Sequence, residues 1–269
     1  MQTIFITGAS SGLGKATAKL FQARGWRVIA TMRTPEKETE LRQLTNVVLL
    51  PLDVTNLLQI ETTVQQALES GRIDVVFNNV GYGLTGAFEA YSDAQIQDQL
   101  NTNLLGVLRV AKPFVQYFRA HQQPALFITT SSAVAIAPSA LSSVYSATKW
   151  ALEGWTEAMA YDLAAFGIGF KTVAPGGIKT NFGSTSLVSV EHVAYAPLLA
   201  KMMAGFQDGS LIHFSEPEAI AEVVYEAATD GKSQLRYFAG PDAVKTHQER
   251  VQLRAEAQHQ LMLERYRYA

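Results

Sequence analysis

Tyr145 and Lys149 are the two residues whose types and spacing most directly suggest chemistry. They lie four positions apart in the segment "VYSATKW" at 144–150, so a helix there places both side chains on one face. A free phenol, with a pKa of about 10, is a poor acid near neutral pH. A neighbouring ammonium favours the phenolate and lowers that pKa, which predicts that Tyr145 can donate and accept a proton. An ordinary polar helix surface fits the same seven letters, so the decision rests on the rest of the chain.

The composition excludes several classes of protein. Of the 269 residues, 48% are hydrophobic and 17% charged, which supports a sizeable core and argues against disorder. A net charge of −2 gives no electrostatic reason to bind nucleic acid or an anionic membrane. The absence of cysteine excludes disulfides and thiolate chemistry. No secretory leader and no apolar run of ~20 residues is visible, so we predict a cytoplasmic protein.

Short apolar runs alternate with longer helical patterns along the chain. Several of the runs are apolar on both faces, as strands between two helix layers must be. The alternation predicts a parallel sheet with crossover helices on both sides, in one domain over 1–269. The strands are predicted at 3–7, 27–31, 47–51, 73–77, 125–130, 169–174 and 235–239, and the helices at 12–25, 56–70, 92–119, 143–166 and 216–229.

Two regions depart from this alternation. Residues 181–215 follow the sixth predicted strand and are rich in aromatic and Met residues among Ser and Gly. A long connection after the carboxyl end of a strand often covers a ligand crevice, so we predict a substrate lid there. Residues 241–269 form a polar helical tail with nearly balanced charges, which favours packing or subunit contact over membrane binding.

A glycine-rich loop joins the first strand to the first helix. The segment "TGASSGLGKA" at 7–16 contains Gly8, Gly12 and Gly14. Glycine tolerates positive φ and lets the backbone approach a ligand closely. The N–H groups at a helix start favour a pyrophosphate. The loop therefore predicts a dinucleotide site, with a plain tight turn as the alternative.

The spacing of Thr7, Gly8, Gly12 and Gly14 resembles the TGxxxGxG motif of the short-chain dehydrogenase/reductase family. The resemblance extends from residue 3 to about residue 240. It implies an α/β doubly wound Rossmann fold with a seven-stranded, mostly parallel sheet in the order 3-2-1-4-5-6-7 and helices on both faces. It also implies an enzyme that transfers hydride between a nicotinamide cofactor and a carbonyl or alcohol.

Three further segments resemble cofactor-binding elements of the family. Asp53 in "PLDVTN" is similar to an Asp that hydrogen-bonds the adenine ring, although it also fits a helix cap. "NNVG" at 78–81 resembles NNAG, and "APGGIKT" at 174–180 resembles the PGxxxT element that holds the carboxamide. The resemblance thus implies cofactor contacts from Gly8, Ser10, Ser11, Gly12, Leu13, Gly14, Asp53, Val54, Asn79, Gly81, Tyr145, Lys149, Pro175, Gly176, Ile178 and Thr180.

The end of the second strand bears on which nicotinamide cofactor binds. Met32 stands where NAD-preferring relatives carry Asp, and Arg33 follows it. A guanidinium matches the oxygens of the NADP 2′-phosphate, whereas an Asp would repel them. Ser11 replaces the second basic residue of some NADP-binding relatives, so the preference for NADP(H) over NAD(H) rests on Arg33. A solvated Arg, and with it an NAD(H)-dependent enzyme, is the alternative.

The resemblance supplies two partners for Tyr145 and Lys149. Ser132 lies 13 residues before Tyr145, the family's spacing for the Ser that hydrogen-bonds the substrate carbonyl, and Ser131 is one position off. Asn103 in "NTNLLGV" matches an active-site Asn that positions a water near Lys149, with Asn101 two residues away. Lys149 would also hold the nicotinamide ribose. The implied catalytic residues are Asn103, Ser132, Tyr145 and Lys149.

The substrate is predicted from the apolar character of the segments expected around the site. Tyr82, Leu84, 133–141, Gly177 and 181–215 offer little to grip a carboxylate or phosphate, which favours a hydrophobic ketone or secondary alcohol. Five histidines without metal-ligand spacing argue against zinc catalysis. A catalytically idle NADPH-binding sensor is the alternative of a different class.

Relatives of this length usually form homodimers or homotetramers through two long helices, here 92–119 and 143–166. Trp150 and Trp155 are candidates for that interface or for the core.

Overall fold

A computed structural model describes residues 1–179 and 187–267 and shows seven parallel strands in one sheet. The strands are β1 (Thr3–Thr7), β2 (Arg27–Met32), β3 (Val47–Pro51), β4 (Val75–Asn78), β5 (Gly83–Gly86), β6 (Ala125–Thr130), β7 (Ile168–Pro175), β8 (Leu187–Val190) and β9 (Arg236–Ala239). The order in the sheet is β3-β2-β1-β4-β6-β7-β9, while β5 and β8 form a separate pair. Counted along the chain without that pair, the order is 3-2-1-4-5-6-7, which confirms the prediction.

Helices cover both faces of this sheet. They are α1 (Gly12–Ala23), α2 (Leu57–Glu69), α3 (Asp93–Leu100), α4 (Gly106–Ala120), α5 (Ser143–Leu163), α6 (Ala196–Gln207), α7 (Pro217–Thr229) and α8 (Pro241–Tyr266). None of the helices within the described ranges combines the length and apolar character that a bilayer crossing requires.

The two hydrophobic cores follow from the alternation of side chains along buried strands. In β1, Ile4 and Ile6 point to the face covered by α1 and α7, while Phe5 points to the opposite face. On that opposite face, Phe5 packs edge-on against Phe114 of α4, with ring centroids 4.9 Å apart. Burying one such ring stabilises the fold by about 1.5–3 kcal/mol. These cores hold the strand ends, and the loops that follow them, in fixed positions.

The predicted helix at 92–119 is two helices. A π-helical turn at Asn101–Leu105 separates α3 from α4. Such turns insert an extra residue and are frequent at functional sites. Immediately after it, Gly106 lies so close to Val54 that an added Cβ would stand 2.8 Å from Val54 Cγ2. The inserted turn brings Asn103 into the interior, where its exposed fraction is zero.

The tail is helical, as the sequence predicts, but it is not one straight helix. Arg254 has φ 62° and ψ 180°, which is far from helical geometry and turns the chain back on itself. The ion pair of Arg265 with Glu249, 2.6 Å between Nη2 and Oε1, joins residues that a straight helix would hold about 24 Å apart. The second half of α8 therefore lies against the first.

The sequence does not predict β5 and β8. They pair in parallel register, Gly83 opposite Leu187 and Gly86 opposite Val190. The β5 segment "GLTG" has glycine at both ends and no β-branched run, so its propensity signal is weak. β8 belongs to the predicted lid at 181–215, and it pairs with β5, the strand that follows β4 in the chain. Positions 180–186 lie outside the described residues.

Candidate active site

The predicted site residues meet at the carboxyl edge of the sheet. Loops that follow β1, β4, β6 and β7 lie side by side there because the parallel strands all point the same way. These four loops supply the glycine-rich segment, the "NNVG" segment, the two serines after β6 and the "PGG" segment.

The glycine-rich loop has the shape of a phosphate cradle. Gly8 and Gly12 have φ of +70° and +52°, a region that favours glycine. A Cβ on Gly14 would stand 2.2 Å from the Gly8 carbonyl oxygen, so only hydrogen fits there. Ser11 precedes α1 in an extended conformation, and no side chain in the described ranges caps that helix start. The N–H groups of the first turn thus fit a pyrophosphate.

Asn79 and Thr7 fasten this loop to the end of β4. Thr7 Oγ1 accepts hydrogen bonds from the N–H groups of Asn79 (2.9 Å) and Val80 (3.2 Å). Asn79 Nδ2 donates to the carbonyl oxygens of Thr7 and Gly8, both at 3.2 Å. The Asn79 side chain, predicted to contact cofactor, therefore holds the cradle in shape.

Tyr145 and Lys149 share one face of α5, as their spacing predicts. Lys149 Nζ lies 5.8 Å from the centroid of the Tyr145 ring. Lys149 is buried and donates to the carbonyl oxygen of Thr130 at the end of β6 (2.8 Å). Ser132 lies close enough to Tyr145 to lower the pKa of its hydroxyl, and the Ser132 Oγ accepts from the Val134 N–H (3.3 Å). Ser131 is buried, and its hydroxyl has no hydrogen-bond partner in the described structure. The contact with Tyr145 favours Ser132 over Ser131 for the predicted role.

Asn103 lies beside Gly81 of the loop that follows β4. Its Oδ1 accepts from the Tyr82 N–H (3.0 Å), and its Nδ2 donates to the Tyr82 carbonyl (2.8 Å). A Cβ on Gly81 would lie 3.4 Å from Asn103 Oδ1 and 3.7 Å from Lys149 Nζ. Asn103 and Lys149 thus flank the same glycine. Asn101 is partly exposed and makes no side-chain hydrogen bond within 1–179 and 187–267, so the choice of Asn103 is favoured.

Burial governs the ionisation of the central pair. Burial lowers the pKa of Lys149 to about 8, although the charge of the Glu153 carboxylate raises it. Burial also raises the pKa of Tyr145, with the hydrogen bond from Ser132 acting in the opposite direction. The sequence predicts a lowered pKa for Tyr145, and this prediction is wrong. The prediction rested on the charge of Lys149, whereas burial, which disfavours the phenolate, is the largest influence on the pKa of Tyr145.

Asp53 and Arg33 lie close together, after β3 and β2 respectively. Asp53 Oδ1 accepts from the N–H (2.9 Å) and hydroxyl (2.7 Å) of Thr55. Burial would raise the pKa of Asp53, but these bonds and the charge of Arg33 lower it. The cap of α2 is Asn56, whose side chain accepts from Gln59 N–H at 3.0 Å. The capping alternative for Asp53 is therefore removed.

The "PGG" segment is held by a residue that the sequence analysis missed. Asp242, in the first turn of α8, accepts a 2.7 Å hydrogen bond from the Gly177 N–H through Oδ2. A Cβ on Gly176 would stand 1.9 Å from Asp242 Oδ1, so the backbone passes directly over the carboxylate. The one available signal was the helix start "GPDA" after the last strand. The C-terminal helix thereby fixes the turn predicted to bind the carboxamide.

The other predicted contacts take different positions. Ser10 is exposed in the glycine-rich loop, whereas Leu13 and Val54 are buried core residues whose backbone alone can reach a ligand. Pro175 ends β7, and Ile178 bridges to Ser215. Thr180 lies outside the described residues. The cradle at Gly14, the uncapped start of α1 and the guanidinium of Arg33 together fit a nicotinamide dinucleotide.

Comparison with known proteins agrees with this arrangement. A family model described as short chain dehydrogenase matches residues 2–188. The oxidoreductase BOA17 of Botryotinia fuckeliana is 35% identical over 246 residues, covering 90% of this chain and 89% of that protein. A 3-ketodihydrosphingosine reductase of Bacteroides thetaiotaomicron is 36% identical over 189 residues, covering 70% of this chain and 68% of that protein. The chain belongs to the short-chain dehydrogenase family and is an oxidoreductase.

Solved structures support the same fold. A short-chain dehydrogenase from Streptomyces avermitilis superposes with a TM-score of 0.86 at 31% identity, covering 98% of this chain and 97% of that one. A Burkholderia cenocepacia short chain dehydrogenase in complex with NADP has a TM-score of 0.78 at 22% identity, covering 98% and 99%. A Brucella melitensis 3-ketoacyl-(acyl-carrier-protein) reductase complexed with NADH has 0.77 at 21% identity, covering 90% and 98%. Nicotinamide cofactors of both kinds therefore occupy this fold.

Proposed function

We propose that the protein is an NADP(H)-dependent carbonyl reductase, or secondary alcohol dehydrogenase, acting on a hydrophobic ketone or alcohol. The observation that carries the proposal is the meeting of Ser132, Tyr145 and Lys149 beside Asn103, at the sheet edge that also holds the glycine cradle. A phenol, a hydroxyl and a buried ammonium close together can supply the proton and the charge stabilisation that carbonyl reduction needs.

Each of these side chains has a distinct task in the proposed reaction. When bound, the reduced nicotinamide supplies a hydride. The Ser132 hydroxyl orients the carbonyl oxygen, and the Tyr145 hydroxyl donates the proton that the developing alkoxide needs. The ammonium of Lys149, with its pKa of about 8, is still largely protonated at neutral pH and stabilises negative charge that forms on Tyr145. Reversal of these steps oxidises the alcohol.

The proposed preference for NADP(H) rests on Arg33. Its side chain is exposed, and it makes no hydrogen bond in the part of the chain that the structure describes. Met32 beside it is buried and carries no carboxylate to accept from a ribose hydroxyl. Glu38, further along, is turned inward, where its Oε1 accepts from the N–H groups of Glu40 and Leu41. The guanidinium of Arg33 interacts with the Asp53 carboxylate through its charge but forms no hydrogen bond with it, so its N–H donors favour a 2′-phosphate.

Replacing Arg33 by alanine should raise the KM for NADPH and leave that for NADH unchanged. A hydrogen bond to a charged group contributes about 1.5–3 kcal/mol, so the expected rise is roughly 10–100-fold. Steady-state rates with both cofactors measure it. Arg24→Ala is the control, because Arg24 ends α1 and is paired with Glu222 on the protein surface. Equal losses with NADPH and NADH, or a wild type that prefers NADH, would contradict the assignment.

Support for an apolar substrate comes from the apolar residues that follow β4 and begin α5. Leu84 is buried beside Tyr91 and Val144. The Gly86 N–H and the Tyr91 hydroxyl both donate to the carbonyl oxygen of Leu141, which holds this cluster in place. The similarity to a 3-ketodihydrosphingosine reductase supports a ketone with a long apolar part. A panel of aliphatic, aryl and steroid ketones, followed by nicotinamide absorbance, tests this. Cofactor binding without turnover of any of them would favour a sensor over an enzyme.

We also propose that the protein acts as a homodimer or homotetramer. Trp150 and Tyr161 on α5 are 45% and 71% exposed, which suits a helix-to-helix interface. Trp155, the other tryptophan of this helix, packs edge-on against Phe170 and belongs to the core. Sedimentation of the purified protein measures the assembly.

A further inference from the structure

Glu153 lies one helical turn beyond Lys149 on the same face of α5. Tyr145, Lys149 and Glu153 are spaced four apart, so their side chains form one row along the helix. Glu153 is buried, with 8% of its surface exposed. A buried carboxylate is costly unless it is paired and hydrogen-bonded. Its place beside the proposed catalytic pair therefore calls for a physical explanation.

Two groups hold the Glu153 carboxylate in this position. Arg236 of β9 donates from Nε to Oε2 at 2.8 Å, and the Thr172 hydroxyl of β7 donates to the same oxygen at 3.2 Å. Arg236 also reaches Glu157 through Nη2, at 2.5 Å. The guanidinium pairs with the Glu153 carboxylate and fixes it between the helix and the sheet. The carboxylate is thereby held one helical turn from the Lys149 ammonium.

Few other groups stabilise the positive charge of Lys149. It is 4% exposed, and in the described ranges its one hydrogen bond goes to the Thr130 carbonyl. Burial lowers its pKa, and the Glu153 charge is the influence that opposes burial.

The other charged groups on the elements packed against α5 interact with residues other than Lys149. Lys171 of β7 is held by Asp230, and Asp98 of α3 acts on Tyr82. Asp93 on α3 is bonded to Gln97, and His247 on α8 lies in the field of Arg236. Arg236 itself is a cation and cannot replace Glu153. Within the described residues, Glu153 is the anion that stabilises the ammonium.

We propose that Glu153, held by Arg236 and Thr172, is a positioning residue whose charge stabilises the ammonium of Lys149 beside Tyr145. The proposal rests on the function proposed above, in which Lys149 must carry charge while Tyr145 exchanges its proton. It adds a charge row of Arg236, Glu153 and Lys149 that leads from the edge strand β9 to the phenol. The Tyr-x3-Lys spacing and the glycine loop do not predict this row of charges.

Glu153→Gln tests the proposal, because the amide keeps the size of the side chain and can still accept from Thr172. Without the anion, the pKa of Lys149 should fall below its value of about 8, by roughly one unit. The alkaline limit of kcat/KM should move to lower pH by the same amount. Glu157→Gln is the matched control, since Glu157 binds the same Arg236 one turn further from Lys149. We expect its pH profile to match the wild type.

A second pair of variants separates charge from structure. Glu153→Asp retains the anion and should restore most of the wild-type profile. Arg236→Gln removes the group that holds Glu153, so the alkaline limit should move to lower pH as in Glu153→Gln, by a smaller amount. A purely structural role would lower the melting temperature of these variants without moving the pH profile. A folded Glu153→Gln protein with a wild-type profile overturns the proposal.

A measurement without turnover distinguishes this proposal from the proposed function. The Lys149 titration can be followed directly by ¹³C resonances of labelled lysine side chains, assigned with Lys149→Arg. If Glu153→Gln shifts that titration but no ketone is reduced by the wild type, the proposed function fails and the effect of Glu153 on Lys149 stands. If the wild type is active and the titration does not shift, Glu153 has no such role.

Discussion

Tyr145→Phe should lower kcat/KM for ketone reduction by about 10³-fold, the usual contribution of a general acid. The substitution removes only the hydroxyl, which the Ser132 side chain contacts, and leaves the ring beside Lys149. Cofactor affinity and the melting temperature should stay close to those of the wild type. Steady-state kinetics with saturating NADPH, together with a fluorescence titration of NADPH, measure both expectations.

Tyr161→Phe is the matched control for this variant. Tyr161 lies on the same helix, is 71% exposed, and donates its hydroxyl to Glu157 at 2.7 Å. Loss of an exposed hydroxyl should leave activity unchanged. A Tyr145→Phe protein with wild-type activity would show that the proton comes from another group.

Gly14→Ala should disable cofactor binding. The new Cβ would stand 2.2 Å from the Gly8 carbonyl oxygen and 2.7 Å from Asn79 Nδ2, and the first of these is backbone that cannot rotate away. The loop must shift, which costs about 1–3 kcal/mol of stability. The N–H groups at the start of α1 then lose their alignment, and NADPH affinity should fall roughly 100-fold. Calorimetric titration with NADPH and thermal unfolding measure the two effects.

Gly154→Ala is the control for this substitution. Gly154 lies in α5, and nothing stands within 4 Å of the place its Cβ would take. Because alanine is the better helix former, this variant should be more stable by about 0.5–1 kcal/mol. Wild-type NADPH affinity in Gly14→Ala would contradict the assignment of the glycine loop.

The sheet was predictable because its strands carry their own signals. In β1 the residues Ile4, Phe5 and Ile6 are apolar on both faces, which a strand between two helix layers requires. The glycine loop was equally clear, since Gly8 and Gly14 are needed for reasons of backbone conformation and space. Spacing along one helix also sufficed to bring Tyr145 and Lys149 together.

Features that depend on tertiary contacts were not predictable. The π turn at Asn101–Leu105 has no distinguishing residue pattern, and β5 is a strand only because Leu187–Val190 pairs with it. The hydrogen bond from the Gly177 N–H to Asp242 joins residues 65 positions apart. The pKa of Tyr145 depends on how much solvent the fold removes, which spacing does not contain.

The most direct test of the central claim is deuterium transfer to a hydrophobic ketone from NADPH that carries deuterium at both positions of C4 of the nicotinamide ring. The proposed reaction predicts an alcohol with one deuterium on the carbinol carbon, in an amount equal to the NADPH consumed. It also predicts that Tyr145→Phe forms this product about 10³-fold more slowly while still binding NADPH. Bound NADPH that transfers no deuterium to any ketone of the panel would contradict the claim.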